Sequence, residues 1–206
     1  MIIIVDYGMG NLGSILNMLK KVGIPDAKVS SLPSDIERAD KLILPGVGAF
    51  DTGMQRLRET GLIGLLNEKV LSAKTPTLGV CLGMQLLTKF SEEGQLPGLG
   101  WIDAETVRFR FDPMKTGLKI PHMGWNTVKV SQPGTLFLDM YDEPRFYFVH
   151  SFHVVSHNPD DVVAVTEYGY EFASVIQHGH IMAAQFHPEK SHKFGMKLYK
   201  NFVEYA

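Results

Sequence analysis

The segment PTLGVCLGMQLL, residues 76–87, joins a short apolar run to a stretch with helical periodicity. The apolar run before Cys81 predicts a strand, and the apolar side chains within residues 82–90 predict the buried face of a helix. Gly79 and Gly83 flank the cysteine as Gly-x-Cys-x-Gly, which is the pattern of a nucleophile elbow. A Cβ at either glycine would collide with the neighbouring strand or helix, so the turn requires glycine. The segment therefore predicts an exposed cysteine side chain at the carboxyl edge of a parallel sheet.

The first third of the chain repeats this alternation of apolar runs and helical periodicity, which is typical of a parallel sheet with crossover helices. Residues 2–5 read as a strand buried on both faces, and residues 12–22 read as an amphipathic helix. After the Gly- and Pro-rich residues 94–100, the chain becomes strand-like. Candidate strands occupy residues 126–130, 145–155, 162–167, 172–177 and 180–186, and a last helix carries Phe194, Leu198 and Phe202. We therefore predict a doubly wound α/β fold in one domain over residues 1–206, with a mostly parallel central sheet, flanking helices and an antiparallel strand-rich C-terminal half.

The composition excludes several classes of protein. The 206 residues are 45% apolar and carry 20 basic and 22 acidic side chains, which gives a net charge of -2. No apolar run approaches the roughly 18 residues of a membrane span, and no basic flank or cleavage site precedes the first strand. No block of like charges offers a grip on a phosphate backbone. We expect a cytoplasmic protein that has neither a membrane nor a nucleic acid as a partner.

Cys81 is the only cysteine, so it cannot form an internal disulfide, and it is either an inert buried thiol or a nucleophile. A nucleophile requires a base, and His187 in the segment QFHPE is the best candidate among the eight histidines. Residues two apart on an extended segment project to the same side, so Glu189 can bind one ring nitrogen while the other faces the thiol. The amino end of the helix after Cys81 favours thiolate and places the Leu82 amide to receive an oxyanion. Together these features favour the nucleophile.

The remaining polar motifs predict no metal. His150 and His153 are three apart on one predicted strand, so their side chains should lie on opposite faces and share no ion. The turn PGVG, residues 45–48, follows a strand but matches neither common phosphate-binding glycine pattern. An oxyanion or substrate-backbone role fits it better, and a plain tight turn is the alternative. We predict neither a metal nor a cofactor.

Three motifs, in this order along the chain, point to one family: PGVG at residues 45–48, GVCLGMQ at residues 79–85 and HPE at residues 187–189. By these motifs and their separations, the chain resembles the class I, triad-type glutamine amidotransferases over essentially its whole length. Their fold is flavodoxin-like, which agrees with the doubly wound sheet expected here. Two further segments, DYGMGN at residues 6–11 and IPHMGWN at residues 120–126, resemble the glutaminase subunits of imidazole glycerol phosphate synthases.

The resemblance implies a catalytic triad of Cys81, His187 and Glu189. Cys81 would attack the side-chain amide of glutamine to give a glutamyl thioester and ammonia, and water would then release glutamate. His187 would protonate the leaving nitrogen and later activate the water, while Glu189 would hold the imidazole. The backbone amides of Leu82 and Val47 would receive the oxyanion, the latter after a peptide flip in its glycine-rich turn. The residues that the resemblance implies for substrate binding are Gly46, Gly48, Gln85, His150, Ser151 and Phe152.

The resemblance also implies a partner subunit. In this family the ammonia passes into a cyclase with a (β/α)8 barrel, which makes imidazole glycerol phosphate and an aminoimidazole carboxamide ribotide in histidine biosynthesis. The chain would form a heterodimer with that cyclase, and its glutaminase activity would be weak until the cyclase binds its nucleotide. The residues implied for the interface are Asn11, Met123, Trp125 and Lys190.

Three alternatives stay open at this point. A glutaminase subunit of another synthase, such as one that makes pyridoxal phosphate or anthranilate, uses the same triad and is opposed only by residues 120–126. A thiol hydrolase of related fold would act alone on another amide or ester. A flavodoxin-like binding module would carry Cys81 as a structural residue.

Overall fold

The computed structural model describes the backbone of residues 1–206 and every side chain except those at positions 113 and 115. The strands are β1 (Ile2–Val5), β2 (Lys28–Ser30), β3 (Lys41–Gly46), β4 (Thr77–Cys81), β5 (Ala104–Arg108), β6 (His122–Thr127), β7 (Lys129–Val130), β8 (Arg145–His150), β9 (Phe152–Ser156), β10 (Val162–Glu167), β11 (Glu171–His178) and β12 (Ile181–Ala184). The α-helices are α1 (Leu12–Lys21), α2 (Pro33–Glu37), α3 (Phe50–Glu59), α4 (Ile63–Asn67), α5 (Leu82–Leu86), α6 (Pro113–Thr116) and α7 (His192–Tyr205). Within the described chain, none of the helices has the length and apolar character that crossing a membrane would need.

One large mixed sheet organises the fold. Its strands follow the order β2-β1-β3-β4-β12-β11-β10-β7, and β9 joins β5 to it through β11. From β2 to β12 the neighbouring strands are parallel, whereas β11, β10 and β7 add antiparallel pairs. β6 and β8 form a separate two-stranded antiparallel sheet. The predicted architecture, a mostly parallel central sheet with an antiparallel strand-rich C-terminal half, is confirmed.

Helices cover both faces of the parallel strands, which explains why those strands are apolar throughout. In β1, Ile2 and Ile4 pack into one core together with buried residues of α1 and α7. Ile3 and Val5 point the other way and pack into a second core with residues of α3, α4 and α5. Because successive side chains of a strand alternate between faces, a strand between two helical layers has to be apolar at every position.

The predicted strand over residues 145–155 is wrong as a single element. The chain bends at Ser151, so that β8 pairs with β6 in the small sheet while β9 pairs with β5 and β11 in the large one. The expectation that His150 and His153 lie on opposite faces is therefore wrong as well. Both rings pack against Phe109, with centroid distances of 5.3 and 4.8 Å, because side-chain alternation applies only within one continuous strand.

The helix after Cys81 is shorter than its apolar spacing predicts. It ends at Leu86, and Phe90, which the spacing places on the buried face, is 46% exposed. The helix ends where the chain at residues 99–102 packs back against it and donates to its last carbonyl groups. The Leu99 N–H donates to the Leu86 carbonyl at 2.8 Å, and the Ile102 N–H donates to the Leu87 carbonyl at 3.1 Å. These bonds satisfy the carbonyls that a longer helix would have used.

A substitution at Gly195 in α7 can test how closely the last helix packs on the loop that follows β12. A Cβ at this position would lie 1.8 Å from the carbonyl oxygen of Pro188, so an alanine would force backbone atoms apart. We expect Gly195→Ala to lower the free energy of unfolding by about 1–3 kcal/mol, despite the better helix propensity of alanine. Gly64 in α4 offers the matched control, because a Cβ there has nothing within 4 Å. Gly64→Ala should raise the free energy of unfolding by about 0.5–1 kcal/mol, and urea denaturation measures both variants. A Gly195→Ala protein as stable as the wild type would contradict this packing.

Candidate active site

Cys81 ends β4 and begins the turn into α5 in a backbone conformation that few residues adopt. Its φ is +53°, in the left-handed region. The neighbouring glycines leave room for this turn: a Cβ at Gly83 would lie 1.8 Å from the Leu44 carbonyl oxygen, and one at Gly79 would lie 2.9 Å from the Leu87 side chain. The packing of α5 on β3 and β4 therefore requires both glycines, as the elbow pattern predicts.

The expectation of an exposed cysteine side chain is wrong. Cys81 is 6% exposed. It lines a pocket of ≈ 340 Å³ together with His187 and with residues around the bend at Ser151, so later parts of the chain cover the elbow. The thiol is thus buried and lines this pocket.

His187 reaches the elbow because β12 runs parallel to β4. Ala184 at the end of β12 pairs with Val80, so the loop that carries His187 leaves the sheet at the same edge as the elbow. His187 Nδ1 lies 2.8 Å from Glu189 Oε1, and both side chains are 1% exposed. Among the described atoms, His187 Nε2 has no hydrogen-bond partner, and it is the nitrogen left to face the thiol of Cys81.

Two acidic groups set the charge state of His187. Burial by itself lowers the pKa of His187, but the nearby Cys81 sulfur and the hydrogen-bonded, negatively charged Glu189 carboxylate raise it to about 10. Burial likewise raises the pKa of Glu189, but the hydrogen bond and charge of His187, together with a hydrogen bond from Asn11, bring it below its usual value. At pH 7 this geometry favours an imidazolium that is bonded to the Glu189 carboxylate and lies beside the Cys81 sulfur, an arrangement that suits a cysteine nucleophile and its base.

Contacts from other elements hold the loop that carries the triad. Asn11, expected at a partner interface, donates from Nδ2 to Glu189 Oε1 at 3.0 Å. The Ser191 hydroxyl donates to the His187 carbonyl at 2.6 Å and accepts from the Tyr147 N–H at 3.0 Å. The His187 N–H in turn donates to the Tyr147 carbonyl at 2.9 Å. The sequence offered no motif for Tyr147 and predicted Ser191 only as the N-cap of the last helix, a position that Ser191 occupies without a side-chain cap hydrogen bond. The contacts described here could not be predicted, because they join backbone groups that only the fold brings together.

The pocket around Cys81 gathers residues from both halves of the chain. The residues predicted from the sequence that line it are Val47, Gly48, Cys81, Leu82, Gln85, His150, Ser151, Phe152 and His187. Gly46 is not among the described lining residues; it lies at the end of β3, paired with Cys81. Glu93, Pro121 and Val149 also line the pocket and were missed. Glu93 lies in a short polar loop, and such a loop reads in the sequence as a solvated turn.

The turn at residues 45–48 is held against the elbow by Tyr7. The Tyr7 hydroxyl donates to the first carbonyl of the turn, and burial, together with the charge of Cys81, raises the pKa of this phenol. A Cβ at Gly46 would lie 2.7 Å from the Tyr7 hydroxyl oxygen, so the close approach depends on glycine. Gly48 has a φ of +108°, which also favours glycine. Tyr7 was not predicted to have a role, although it lies in one of the segments that carry the resemblance.

Two buried amides connect the pocket with the thiol. Gln85 is 5% exposed, and its Nε2 donates to the Phe152 carbonyl at 3.1 Å and to Gln185 Oε1 at 3.2 Å. Gln185, which is fully buried, donates from Nε2 to Cys81 Sγ at 4.0 Å. Gln185 was missed, although its position two residues before His187 is a signal that could have found it.

The residues predicted for the interface lie beside the triad loop. Met123 and Trp125 on β6 are 62 and 48% exposed. The Trp125 ring stacks on His192, with the centroids 5.5 Å apart and the planes at 6°. Lys190 Nζ lies 5.6 Å from the centroid of the Tyr147 ring. Exposed apolar and cationic side chains thus share the face formed by β6, β8 and the start of α7.

The other buried histidines use their ring nitrogens for hydrogen bonds. His122 Nδ1 lies 3.0 Å from His150 Nε2, and His153 Nε2 lies 2.9 Å from the Tyr170 hydroxyl oxygen. Among the side chains that the structure describes, no group of three or more His, Cys, Asp or Glu residues is arranged to hold a metal ion. We therefore assign these histidines to hydrogen bonding.

Comparison with known proteins relates the whole chain to one family. The family model described as glutamine amidotransferase class-I matches residues 3–205. A Methanococcus maripaludis protein named imidazole glycerol phosphate synthase subunit HisH 2 is 54% identical over 206 residues and is matched over 100% of both chains. A Pseudomonas aeruginosa protein of the same name is 52% identical over 204 residues, which cover 99% of each chain.

Solved structures share the fold. A Thermotoga maritima protein described as a glutamine amidotransferase superposes with a TM-score of 0.61 at 20% identity, over 98% of this chain and 83% of that one. The structure of PurLQS from Thermotoga maritima gives a TM-score of 0.70 at 17% identity, over 99% and 97% of the two chains. At these identities the similarity shows the fold alone.

The charge state of His187 can be tested by removing either acidic neighbour. Because Glu189 and Cys81 favour the protonated ring, Glu189→Gln and Cys81→Ala should each lower the pKa of His187 from its value of about 10. A titration of the ring by ¹⁵N NMR measures the midpoint in each protein. Glu204→Gln, which removes an exposed partner of Lys200 on α7, should leave the midpoint unchanged. A wild-type His187 that loses its proton near pH 6.5 would show that the triad is not charged as described.

Proposed function

This chain belongs to the class I glutamine amidotransferase family, and we propose that it is the glutaminase subunit of an imidazole glycerol phosphate synthase. It hydrolyses glutamine to glutamate and ammonia and supplies the ammonia to a cyclase in histidine biosynthesis. The observation that carries the proposal is the strained elbow at Cys81, which lines a pocket together with His187, whose ring is bonded to the buried carboxylate of Glu189. Full-length identities of 54 and 52% to proteins named HisH support the choice of synthase.

The reaction begins with attack of the Cys81 sulfur on the side-chain carbonyl carbon of glutamine. His187 Nε2 gives its proton to the amide nitrogen, the C–N bond breaks, and ammonia leaves behind a glutamyl thioester. Water then attacks the thioester carbon and gives a proton to the neutral His187, and the S–C bond breaks to release glutamate. Glu189 keeps the imidazole oriented through both steps, and the raised pKa of His187 keeps its proton available for the first one.

Two backbone amides are proposed to stabilise the oxyanion. Leu82, the residue after the nucleophile, and Val47, in the glycine-rich turn, both line the pocket. Gly46 and Gly48 on either side of Val47 are the residue type that lets a peptide rotate, so the second donor can be formed on demand. Removing one such donor from a hydrolase typically costs about 10²–10³ in kcat.

Glutamine itself offers an ammonium and a carboxylate besides the reacting amide. We assign the ammonium to Glu93, a residue that lines the pocket and whose Oε2 accepts a hydrogen bond from the Phe50 N–H at 2.8 Å. The other substrate contacts are assigned to the turn and to the pocket wall, namely Gly46, Gly48, Gln85, His150, Ser151 and Phe152. An opposite charge in a partly enclosed pocket is a strong determinant of orientation.

The partner is proposed to be a cyclase subunit with a (β/α)8 barrel, and it docks on the face that carries Met123, Trp125 and Lys190. Large exposed apolar side chains such as Met123 and Trp125 are typical of the core of an interface. Asn11, which is also proposed for the interface, donates a hydrogen bond to Glu189 of the triad. A partner that moves Asn11 can therefore shift Glu189 and change the activity of the site. In this proposal, that coupling makes the glutaminase activity depend on the ligand state of the cyclase.

The thiol of Cys81 provides the first test of the function. Cys81→Ala should abolish glutamine hydrolysis and leave binding to the cyclase intact, because only the nucleophile is lost. In the wild type, an alkylating glutamine analogue should modify Cys81, as detected by mass spectrometry, and glutaminase activity should rise when the cyclase and its nucleotide are added. Absence of that rise would contradict the assignment to this synthase. An unmodified Cys81 in an enzyme that hydrolyses another amide or ester would favour a stand-alone thiol hydrolase.

Glu93 provides a second test, because it is proposed to bind the substrate without reacting. Glu93→Gln removes the charge but keeps an oxygen for the Phe50 N–H, so KM for glutamine should rise about tenfold or more with a smaller change in kcat. Glu92→Gln is the matched control, since the Glu92 carboxylate is turned towards the N–H of Arg108 and the guanidinium of Arg110. Equal KM values for the two variants would exclude Glu93 as the partner of the ammonium group.

A further inference from the structure

β6 presents two different faces. Met123 and Trp125 point outward, whereas His122 on the opposite face is 3% exposed. Residues four apart share a face of a strand, so Asn126 lies on the inner side with His122. The inner face thus carries polar side chains to which the proposed function assigns no role.

A chain of hydrogen bonds links the inner face of β6 to the catalytic pocket. Asn126 Nδ2 lies 3.2 Å from His122 Nε2, and His122 Nδ1 lies 3.0 Å from His150 Nε2. His150 Nδ1 lies 2.8 Å from the carbonyl oxygen of Phe152. His150 and Phe152 line the pocket, and His122 is not among the lining residues that the structure describes.

The acceptor at the end of this chain sets the proton position on each ring. A carbonyl oxygen only accepts, so His150 carries its hydrogen on Nδ1, and His122 must then donate from Nδ1 to His150 Nε2. His122 Nε2 is left to accept from the Asn126 amide. That amide is oriented independently, because its oxygen accepts from the Thr127 N–H at 2.8 Å and its nitrogen donates to the Glu167 carbonyl at 3.0 Å.

Burial keeps both rings in the neutral form that this arrangement requires. It lowers the pKa of His150 well below the usual value and that of His122 to about 4. The His122 ring is also clamped between Phe148 and Tyr168, with centroid distances of 4.6 and 4.0 Å. The ring therefore has a fixed place and a fixed tautomer.

The Phe152 carbonyl joins the histidine pair to the substrate side of the pocket. It also accepts from Gln85 Nε2 at 3.1 Å, and Gln85 in turn donates to Gln185, whose amide approaches Cys81. A shift of the His150 ring would change the position of this carbonyl and with it the position of Gln85.

We propose that His122 is a positioning residue for glutamine hydrolysis: its Nδ1–H holds the His150 ring and, through the Phe152 carbonyl, fixes Gln85 in the substrate pocket. The inference rests on the proposed glutaminase function. Because His122 acts through other residues, its loss should weaken glutamine binding more than it changes the reactivity of the thiol. Met123 and Trp125 stand on the outer face of the same strand, so a partner seated on them acts on the strand that carries His122.

Substitutions that remove the His122 Nδ1–H test the proposal in the complex with the cyclase. His122→Leu leaves His150 Nε2 without its donor, so KM for glutamine should rise about tenfold or more, with a smaller change in kcat. His122→Asn retains an amide N–H near the place of Nδ1 and should bring KM back to within about threefold of the wild type. The rate at which iodoacetamide alkylates Cys81 should stay within about twofold in both variants, because the triad keeps its contacts.

His153→Leu is the matched control. His153 is 4% exposed and packs against Phe109 as His150 does, but its Nε2 bonds the Tyr170 hydroxyl, outside the chain that leads to Gln85. The His153→Leu substitution should lower the stability of the fold about as much as His122→Leu does, and it should leave KM for glutamine within about twofold of the wild type. An equal rise in KM in His153→Leu and His122→Leu would mean that the effect is one of packing, and the proposal would be overturned.

A second measurement does not depend on the variants folding. In ¹⁵N spectra of histidine-labelled wild-type protein, His122 and His150 should both appear as neutral Nδ1–H tautomers, and an Nε2–H tautomer at His122 overturns the proposal. A His122→Leu protein that folds and has the same KM for glutamine as the wild type also overturns the proposal. If the wild type with its cyclase fails to hydrolyse glutamine, the proposed function fails instead, and the positioning role fails with it.

Discussion

The parallel pairing of β12 with β4 is the contact on which the rest of the site depends. Met182 pairs with Leu78 and Ala184 with Val80, so two strands that lie far apart in the sequence end at the same edge of the sheet. The elbow follows one strand and the triad loop follows the other, which brings Cys81 and His187 together without a long excursion of the chain. Every residue of both strands is buried. The packing that stabilises the sheet is therefore also the packing that brings Cys81 and His187 together.

A second constraint is the burial of charge. His187 and Glu189 are both 1% exposed, and an ionised group so far from water is costly unless it is paired and hydrogen-bonded. The two charges pair with each other, and Asn11 donates a hydrogen bond to the carboxylate, while Ser191 and Tyr147 hold the His187 backbone in place. Glu189 Oε2 has no hydrogen-bond partner among the described atoms. Tyr147 belongs to β8, whose partner β6 carries the exposed apolar face. One strand of the small sheet thus holds the loop that carries His187 and Glu189, and the other strand presents the expected docking surface.

Much of the fold was predictable because it depends on neighbours in the chain. Short continuous runs of apolar residues identified the parallel strands, and period-3.6 spacing identified the crossover helices. Gly79 and Gly83 predicted the elbow because a strand-to-helix turn leaves no room for a Cβ, and the spacing of His187 and Glu189 predicted their hydrogen bond. The break at Ser151 was not predictable in this way, since residues 145–155 are uniformly strand-forming and only pairing with two different sheets divides them.

The sequence by itself therefore determined the fold class, the elbow and the residues that we propose as nucleophile, base and orienting carboxylate, because each depends on local spacing and local sterics. Only the tertiary structure decided that Cys81 is buried in a pocket, that Gln185 and Glu93 lie near it, and that His122 reaches the site through His150. These features depend on which strand ends meet in space. Pairing between strands that are distant in the sequence decides which ends lie together. A contact between distant residues leaves no periodicity in the sequence from which it could be predicted.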